Sequence, residues 1–178
     1  MGNNNLQDFI DDFNGGNRAH RYDVQMSWPG AAGGTDNTNS ELNRFFVRSV
    51  ALPASQINPI RIPYRGRVLK YPGDRIFYPW TFRVLDENNA ENRSIWNKFN
   101  DWSNGINNYT ENTHNDNWED FTTDWIINQT NADGGVIKTA TLIGCWPTVI
   151  GPISLDSNAI DTLVEFTVTV EYQWAEID

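Results

Sequence analysis

The chain from Thr139 to Trp174 reads TATLIGCWPTVIGPISLDSNAIDTLVEFTVTVEYQW. From Val164 onward every second side chain is apolar, and threonine, glutamate or glutamine stands between. A period of two in β-branched and aromatic residues predicts one long β-strand with a buried face and a solvent-facing face. The apolar positions are Val164, Phe166, Val168, Val170, Tyr172 and Trp174.

Turn signals divide the residues that precede this strand. Residues 144–147, Gly-Cys-Trp-Pro, predict the end of a strand that begins at Val136, and residues 151–152, Gly-Pro, mark the connection to the next. Residues 131–135 predict a hairpin turn, because asparagine, aspartate and glycine tolerate the backbone angles of tight turns. This turn joins the Val136 strand to a predicted strand over residues 120–129.

The N-terminal part of the chain predicts a helix, a strand, a loop and a second strand. Apolar side chains at helical spacing over residues 5–13 are typical of a short amphipathic helix, within an N-terminal arm of residues 1–18. Alternation over residues 22–28 predicts the first strand. The glycine- and asparagine-rich residues 29–43 predict a loop, and residues 42–50 predict the next strand.

Two strands occupy the centre of the predicted order. Residues 57–71 and 75–85 predict strands joined by a turn at residues 72–74, Pro-Gly-Asp. Apolar side chains alternate along the second strand and predict one buried face. The residues of that face are Ile76, Tyr78, Trp80, Phe82 and Val84.

A helix follows the central strands. Ile95, Phe99 and Trp102 stand at helical spacing, and Asp86 or Asn88 is the predicted N-cap. Gly105 is predicted to end this helix, and the asparagine-rich residues 104–117 predict a second loop.

The order of these elements predicts the fold class. About seven strands and two helices without βαβ alternation indicate a mainly antiparallel sheet. We therefore expect a mainly β fold, an antiparallel β-sandwich or partly open barrel with one flanking α-helix. A chain of 178 residues fits one domain with a sizeable core, so residues 1–178 are expected to form a single domain.

Composition excludes several functional classes. A net charge of −10 argues against a nucleic-acid binder, which needs cations that neutralise phosphates. No apolar run reaches the length of a membrane span and no signal-peptide pattern begins the chain, so no membrane anchor is expected. The single cysteine, Cys145, cannot form an intramolecular disulfide and indicates a reducing compartment.

Sequence motifs for catalysis are missing. The two histidines, His20 and His114, have no cysteine or histidine at metal-ligand spacing, and the oxygen-rich residues 114–120 lack the glycine and glutamate of a calcium loop. No phosphate-binding loop and no nucleophile elbow occurs. We therefore expect no catalytic residues, no cofactor and no metal, which indicates that the protein is not an enzyme.

Charge is unevenly distributed along the chain. Residues 1–98 hold 12 basic and 10 acidic residues, whereas residues 99–178 hold one basic residue and 13 acidic residues. Two interpretations are open: both surfaces are solvated within one subunit, or they are complementary between identical subunits in a head-to-tail contact. Runs of like charge are usually solvated surface, which favours the first interpretation from the residues alone.

Three motifs in order resemble a known family, the tail tube proteins of contractile-tailed bacteriophages. They are the corner Ala-Leu-Pro-Ala at residues 51–54, the central pattern from Ile62-Pro63 through Gly-Asp-Arg-x-Phe to Trp-x-Phe-x-Val at residues 80–84, and the turn Gly-x-Trp-Pro-Thr at residues 144–148. The resemblance covers residues 22–174. It implies structural roles for Leu52, Pro53, Gly73, Asp74, Arg75, Trp80, Gly144, Trp146 and Pro147.

The resemblance implies a tail-tube-like fold and a structural role in the virion. Six copies would form a ring whose strands join into one inner β-barrel, and stacked rings would form a conduit for DNA delivery. The implied partners are further copies of the chain, the tail sheath protein, baseplate tube-initiator proteins, and the tape measure protein and DNA in the lumen, without sequence-specific binding. Assembly would take place in the host bacterial cytoplasm.

Two alternatives accompany this interpretation. A related structural one is the tube of a bacterial contractile injection or secretion system. One from a different class is a tryptophan-rich β-sandwich carbohydrate-binding module with a sugar-stacking surface, although tryptophan is more often found in cores and subunit interfaces. The tryptophans of that surface would be Trp28, Trp80, Trp118, Trp125 and Trp174.

With the family in view, the complementary-charge interpretation gains weight and predicts a subunit interface. Arg61, Arg65 and Arg67 take odd positions on one predicted strand and are expected to share a face. An acidic band on the adjacent copy is the predicted partner. Its members are Asp116, Glu119, Asp120 and Asp124.

Overall fold

A computed structural model of the chain describes residues 16–32, 46–86 and 94–178. The predicted helix over residues 5–13, most of the loop over residues 29–43 and the alternative N-cap Asn88 lie outside the described residues. The strands are β1 (Tyr22–Gln25), β2 (Val47–Ser49), β3 (Ser55–Tyr64), β4 (Arg67–Phe77), β5 (Trp80–Leu85), β6 (Asn107–Asn108), β7 (Thr113–His114), β8 (Thr123–Thr130), β9 (Val136–Ile150), β10 (Glu165–Glu171) and β11 (Trp174–Ile177). The helices are α1 (Ile95–Ile106) and α2 (Trp118–Phe121), with a short 3₁₀ turn at Gly30–Ala32.

Seven antiparallel strands form one curled sheet, in which β9 is common to two parts. Its first half pairs with β8 on one side and β11 on the other, and β1 extends this part beyond β8. Its second half pairs with β10, which is followed by β5 and β2. The mainly β, antiparallel, partly open fold expected from the sequence is thereby confirmed.

The core lies between the curled sheet and α1. Strands β5 and β10 place their buried residues in direct register, with Trp80 opposite Val170, Phe82 opposite Val168 and Val84 opposite Phe166. Burial of each such side chain contributes about 1.5–3 kcal/mol, so this pair of strands is a large part of the stabilising apolar surface. Aromatic side chains from β5, β8, β10 and α1 pack with their ring centroids 4.5–6.3 Å apart, mostly edge to face.

Gly144 bends strand β9 and does not end it. The predicted end at residues 144–147 is wrong, because β9 continues to Ile150. Gly144 has a φ of 66°, and its backbone N–H donates to Asp124 Oδ1 at 2.8 Å. The pairing with β8 shifts by a residue at this position. A left-handed glycine in a strand is a typical bulge, and here it redirects β9 from one part of the sheet to the other.

The long C-terminal strand is divided. Alternation predicts one strand from Val164 to Trp174, but β10 ends at Glu171 and β11 begins at Trp174. Tyr172 is buried as predicted, whereas Trp174 is 47% exposed, because the chain turns at Gln173 to follow the bend of β9. The prediction of a buried Trp174 was therefore wrong.

The central hairpin has its turn in a different place from the prediction. The turn lies at Arg65-Gly66, where both residues have positive φ, and Tyr64 pairs with Arg67 across it. Residues 72–74 lie inside β4, where the register shifts opposite Asn58. A Cβ on Gly73 would come within 2.6 Å of the Asn58 carbonyl oxygen, so the glycine permits a close backbone approach inside the ladder.

Helix α1 buries the three predicted residues, Ile95, Phe99 and Trp102. Its N-cap is Ser94, whose side-chain oxygen accepts from the Asn97 backbone N–H at 3.3 Å, so Asp86 is not the cap. The helix continues past Gly105 to Ile106. At Gly105 an added Cβ would come within 2.3 Å of the Ala31 carbonyl oxygen, so this glycine permits close packing of the helix.

Candidate subunit interface

The β3–β4 hairpin is the most exposed regular element in the described part of the chain. All ten residues of β3 are exposed, and the two strands form a sheet of their own that pairs with no other described strand. A two-stranded hairpin is marginally stable in water, and a row of exposed apolar side chains adds a further cost. Such an element is typical of a surface that is covered in an assembly.

The two faces of the hairpin differ in chemistry. Opposed residues of an antiparallel pair project to the same face, so the register separates the side chains. One face, here called the apolar face, carries five large side chains that are 46–65% exposed. They are Ile60, Ile62, Tyr64, Leu69 and Tyr71. The opposite face carries prolines, Arg61, Val68 and Lys70.

The three predicted arginines do not share a face, and that prediction is corrected. Arg61 is opposed by Lys70, and Arg67 is opposed by Tyr64, which places Arg61 and Arg67 on opposite faces. Arg65 lies in the turn with a φ of 46° and holds its guanidinium 5.4 Å from the centre of the Tyr64 ring. The error follows from the turn, since a strand through residues 57–71 would have kept one alternation throughout.

The four residues of the predicted acidic band differ in their contacts within the subunit. Asp116, Glu119 and Asp120 are exposed on and beside α2, and Asp116 lies 3.7 Å from His114. Asp124 is different, because its carboxylate accepts from the Gly144 backbone N–H and holds the bend of β9. All four side chains are exposed, and Asp124 in addition supports the bend within the subunit.

An open seam separates the two end strands of the curled sheet. The Tyr22 hydroxyl of β1 donates to the Val47 carbonyl oxygen of β2 at 2.8 Å, and a side chain therefore bridges the seam. An ion pair between Arg48 and Glu165 fixes β2 to β10. Burial raises the pKa of Tyr22, which keeps the hydroxyl protonated as a donor. The strand edges at this seam have backbone groups available for pairing.

The residues that the resemblance singled out mostly shape the backbone. Trp80 is buried and donates from Nε1 to the Ala51 carbonyl oxygen at 2.5 Å, which fixes the corner that contains Leu52 and Pro53. Arg75 donates from Nε to Ser55 Oγ at 3.1 Å across the base of the hairpin. Gly73 and Gly144 lie at the two bulges described above, and Trp146 and Pro147 continue β9 into the second part of the sheet.

The described ranges contain no cluster of metal-binding side chains. Within residues 16–32, 46–86 and 94–178 no group of three histidine, cysteine, aspartate or glutamate side chains could hold a metal ion. Cys145 is buried, and burial raises the pKa of its thiol to about 12, which makes it a poor nucleophile. No helix in the same ranges is both long and apolar enough to cross a membrane.

Two of the five tryptophans named for a sugar-stacking surface are buried in the core, whereas Trp118 and Trp174 are exposed. Trp125 is fully buried and Trp80 is 3% exposed, and both belong to the aromatic core with Phe82. Trp125 also donates from Nε1 to the Ser27 carbonyl oxygen at 2.9 Å. A carbohydrate-binding surface that needs both rings at the surface is therefore contradicted.

Comparison with known proteins identifies the family. A family model described as phage tail tube protein matches residues 17–175. The chain belongs to the phage tail tube protein family. Its relatives include the tail tube protein of Serratia phage KSP90, 32% identical over 161 residues, which are 90% of this chain and 88% of that protein. Tail tube protein gp19 of Enterobacteria phage T4 is 26% identical over 133 residues, 74% of this chain and 80% of that protein.

A solved structure supports the same fold. The sheath-tube complex of an extracellular contractile injection system, PVC, in its extended state, contains a chain that superposes with a TM-score of 0.63 at 16% identity. The match covers 98% of this chain and 97% of that chain. The family expected from the sequence is confirmed, and the tail tube relatives are structural proteins, with no catalytic function indicated.

Sequence reasoning missed the apolar face of the hairpin. The predicted turn at residues 72–74 hid it, because Leu69 and Tyr71 are brought opposite Ile62 and Ile60 only when the chain reverses at Arg65-Gly66. The available signal was Gly66 itself, flanked on both sides by residues of β-propensity that alternate with cations.

Proposed function

We propose that this tail tube protein assembles into hexameric rings, and that the stacked rings form the inner tube of a contractile tail through which DNA is delivered. The observation that carries the proposal is the exposed hairpin, whose apolar face has no cover within the described part of the subunit. Family membership supports a tube role for the chain. An element with such a surface fits a subunit that is stable only beside its neighbours.

Pairing of strand edges between copies is the proposed way to close the ring. The curled sheet ends at β1 and β2, which a side chain rather than a backbone ladder connects. Exposed edges are an aggregation hazard in a free protein, and pairing with the next copy removes the hazard and extends the sheet into a barrel. A head-to-tail contact closes into a ring when the rotation between copies adds up to a full turn, and six copies related by 60° would leave neither β1 nor β2 unpaired.

Charge is proposed to guide the same association. Residues 61–70 of the hairpin carry Arg61, Arg65, Arg67 and Lys70 and no acidic residue. Asp116, Glu119 and Asp120 lie exposed around α2. Exposed pairs contribute only about 0.2–1 kcal/mol each, so they set register and rate while apolar burial supplies the affinity. Asp124 is exposed as well and is proposed for the same contact, and its Oδ1 also accepts from the Gly144 backbone N–H.

The remaining partners follow from the tube itself. We propose contacts with the tail sheath protein outside, with baseplate tube-initiator proteins at one end, and with the tape measure protein and DNA in the lumen without sequence-specific binding. The net charge of −10 supports a conduit that does not retain DNA, since a negative wall repels phosphate. Assembly is proposed to occur in the host bacterial cytoplasm, and the product is the tail tube of the virion.

A second candidate is the tube of a contractile injection system. The observation in its favour is the superposition over 98% of this chain on a subunit of such a system. The two candidates share the ring and the tube and differ in cargo. Purified particles that contain the chain and package a genome support the phage tail, and particles without nucleic acid support the injection system.

Negative-stain microscopy of the purified chain tests ring formation. Wild-type protein is expected to form rings and tubes, while Ile62→Asp with Leu69→Asp, which places two charges on the apolar face, is expected to stay monomeric with an unchanged circular dichroism spectrum. Val68→Asp, on the opposite face of β4, is the matched control and is expected to assemble. Wild-type protein that remains monomeric at all concentrations, with and without a baseplate initiator, contradicts the proposal.

A further inference from the structure

The connection between β9 and β10 exposes large apolar side chains. Leu155 is 83% exposed, Ile160 is 89% exposed and Leu163 is 71% exposed. Three such residues within nine positions form a patch rather than isolated surface residues. The connection, residues 151–164, is therefore a candidate contact surface outside the hairpin, the acidic band and the seam.

Hydrogen bonds give this connection a defined shape. Asp156 accepts from the Asn158 N–H through Oδ1 at 2.9 Å and from the Ala159 N–H through its carbonyl oxygen at 3.1 Å. At the two ends, the Gly151 N–H donates to the Thr167 carbonyl oxygen at 2.7 Å, and the Val164 carbonyl oxygen accepts from Asp86. The segment is tied to the sheet at both ends and turned on itself in the middle.

The turned segment lines an open groove of about 410 Å³. Leu155 and Leu163 supply apolar walls, Ala159 supplies a small side chain, and Asp156 supplies a carboxylate. Asp161 follows on the same segment, and within the described residues no ion pair reaches either aspartate. The groove therefore has a mixed lining, in which Leu155, Ala159, Leu163 and Val164 are apolar and Ser154, Asp156, Thr162 and Glu165 are polar. Asp161 lies outside this lining, on the same segment.

The apolar face of the hairpin has the complementary properties. It is a row of exposed aliphatic and aromatic side chains, and its tip carries Arg67 on the same face and Arg65 in the turn. Arg65 occupies a left-handed position where asparagine is more usual, so a cation is presented there at a conformational cost. Apolar surface would meet apolar surface, and two arginines would meet two aspartates.

Both surfaces are exposed in the same subunit, so they do not cover one another within it. A contact between them joins two copies through two different patches, which is a heterologous contact that propagates around a ring or along a tube. We propose that the apolar face of the hairpin of one copy binds in the groove of residues 151–164 of a neighbouring copy, with Arg65 and Arg67 beside Asp156 and Asp161. This contact rests on the proposed tube function and names its partner surface. It assigns Arg65 and Arg67 to the groove and leaves Arg61 and Lys70, on the opposite face, for the acidic residues around α2.

Disulfide trapping between two single-cysteine variants tests the contact. Leu69→Cys protein and Leu163→Cys protein are mixed in equal amounts, assembled and oxidised, and the covalent dimer is measured on a non-reducing gel. Only a contact between copies can join them, because each chain carries one engineered thiol. The native Cys145 does not interfere, since it is buried and its thiol pKa is raised to about 12. We expect the covalent heterodimer in the assembled sample and none in the unassembled mixture.

Val68→Cys is the matched control, because Val68 is 57% exposed on the same strand but projects to the opposite face. Its trapping with Leu163→Cys is expected to be lost or far weaker. Rings or tubes that assemble without the Leu69–Leu163 heterodimer, or that trap Val68 equally well, overturn this contact and leave the proposed tube intact. Wild-type protein that forms no rings overturns both.

Discussion

At the scale of single residues, Cys145 shows how the core excludes reactivity. Its side chain has no exposed surface, and its Sγ lies 3.5 Å from the Leu142 carbonyl oxygen, to which the thiol donates. Burial raises the thiol pKa to about 12, and the nearby Asp124 carboxylate acts in the same direction. The only cysteine of the chain is therefore a packing residue.

The raised pKa of Cys145 predicts a pH dependence of stability. The unfolded chain loses the thiol proton near pH 9, whereas the folded chain retains it to about pH 12, so the free energy of unfolding is expected to fall as pH rises through this window. The fall contributed by this group is at most about 1.4 kcal/mol per pH unit. Urea unfolding of wild-type and Cys145→Ala protein across this range measures it. Equal slopes for the two proteins would show that the thiol does not contribute.

At the scale of elements, the bend of β9 determines how the sheet is divided. Gly144 has a φ of 66°, and an added Cβ would lie 3.2 Å from both the Gln173 and the Trp118 side chains. Gly134, in the β8–β9 turn, also has a positive φ, of 82°, but has nothing within 4 Å of an added Cβ. A substitution at Gly134 therefore costs only backbone strain, whereas one at Gly144 costs backbone strain and steric crowding.

Substitution at these glycines tests the bend. Gly144→Ala is expected to lose about 1–2 kcal/mol from the left-handed backbone together with a further loss from crowding. Gly134→Ala is expected to lose only the backbone part. Chemical denaturation measures the free energy of unfolding of both variants. An equal loss at the two positions would mean that the Gln173 and Trp118 side chains move aside without a loss of stability.

Elements whose period continues unbroken could be predicted from the sequence. The buried positions of β5, β10 and α1 follow from spacings of two and of three to four, and they are buried as predicted from Trp80 to Val84, from Phe166 to Val170 and from Ile95 to Trp102. The prediction was wrong for Ile76 and Tyr78, which are exposed because the predicted strand 75–85 is divided between β4 and β5. Bulges could not be predicted, because a single extra residue leaves composition unchanged and alters the register. Gly73 and Gly144 both carry turn signals in the sequence and lie inside strands in the structure.

Only part of the candidate interface could be predicted, because the rest depends on register and on contacts between distant residues. Composition alone located the basic residues of the hairpin and the acidic residues around α2, and both groups are exposed in the subunit. The placement of Arg61 and Arg67 on opposite faces could be known only from the correct turn, and the structural role of Asp124 only from its hydrogen bond to the Gly144 backbone. Contacts that depend on residues distant in sequence leave no local pattern.

At the scale of the whole molecule, the charge distribution predicts how assembly responds to mutation. Arg61→Glu with Lys70→Glu reverses the proline-bearing face of the hairpin and is expected to slow tube formation while the subunit stays folded. Adding Glu119→Arg and Asp120→Arg is expected to restore part of the rate. Light scattering at low salt measures assembly, and the differences are expected to shrink at high salt because exposed charges are then screened. A double mutant that assembles at the wild-type rate in low salt would reduce the charge asymmetry to solvation.

The pairing of β5 with β10 has a consequence for synthesis on the ribosome. About 80 residues separate Leu85 from its partner Glu165, and at about 5–20 residues per second the second strand emerges roughly 4–16 s after the first. During that interval the apolar side chains Trp80, Phe82 and Val84 have no β10 against which to pair. We therefore expect the nascent chain to remain a substrate for cellular chaperones until β10 has left the exit tunnel.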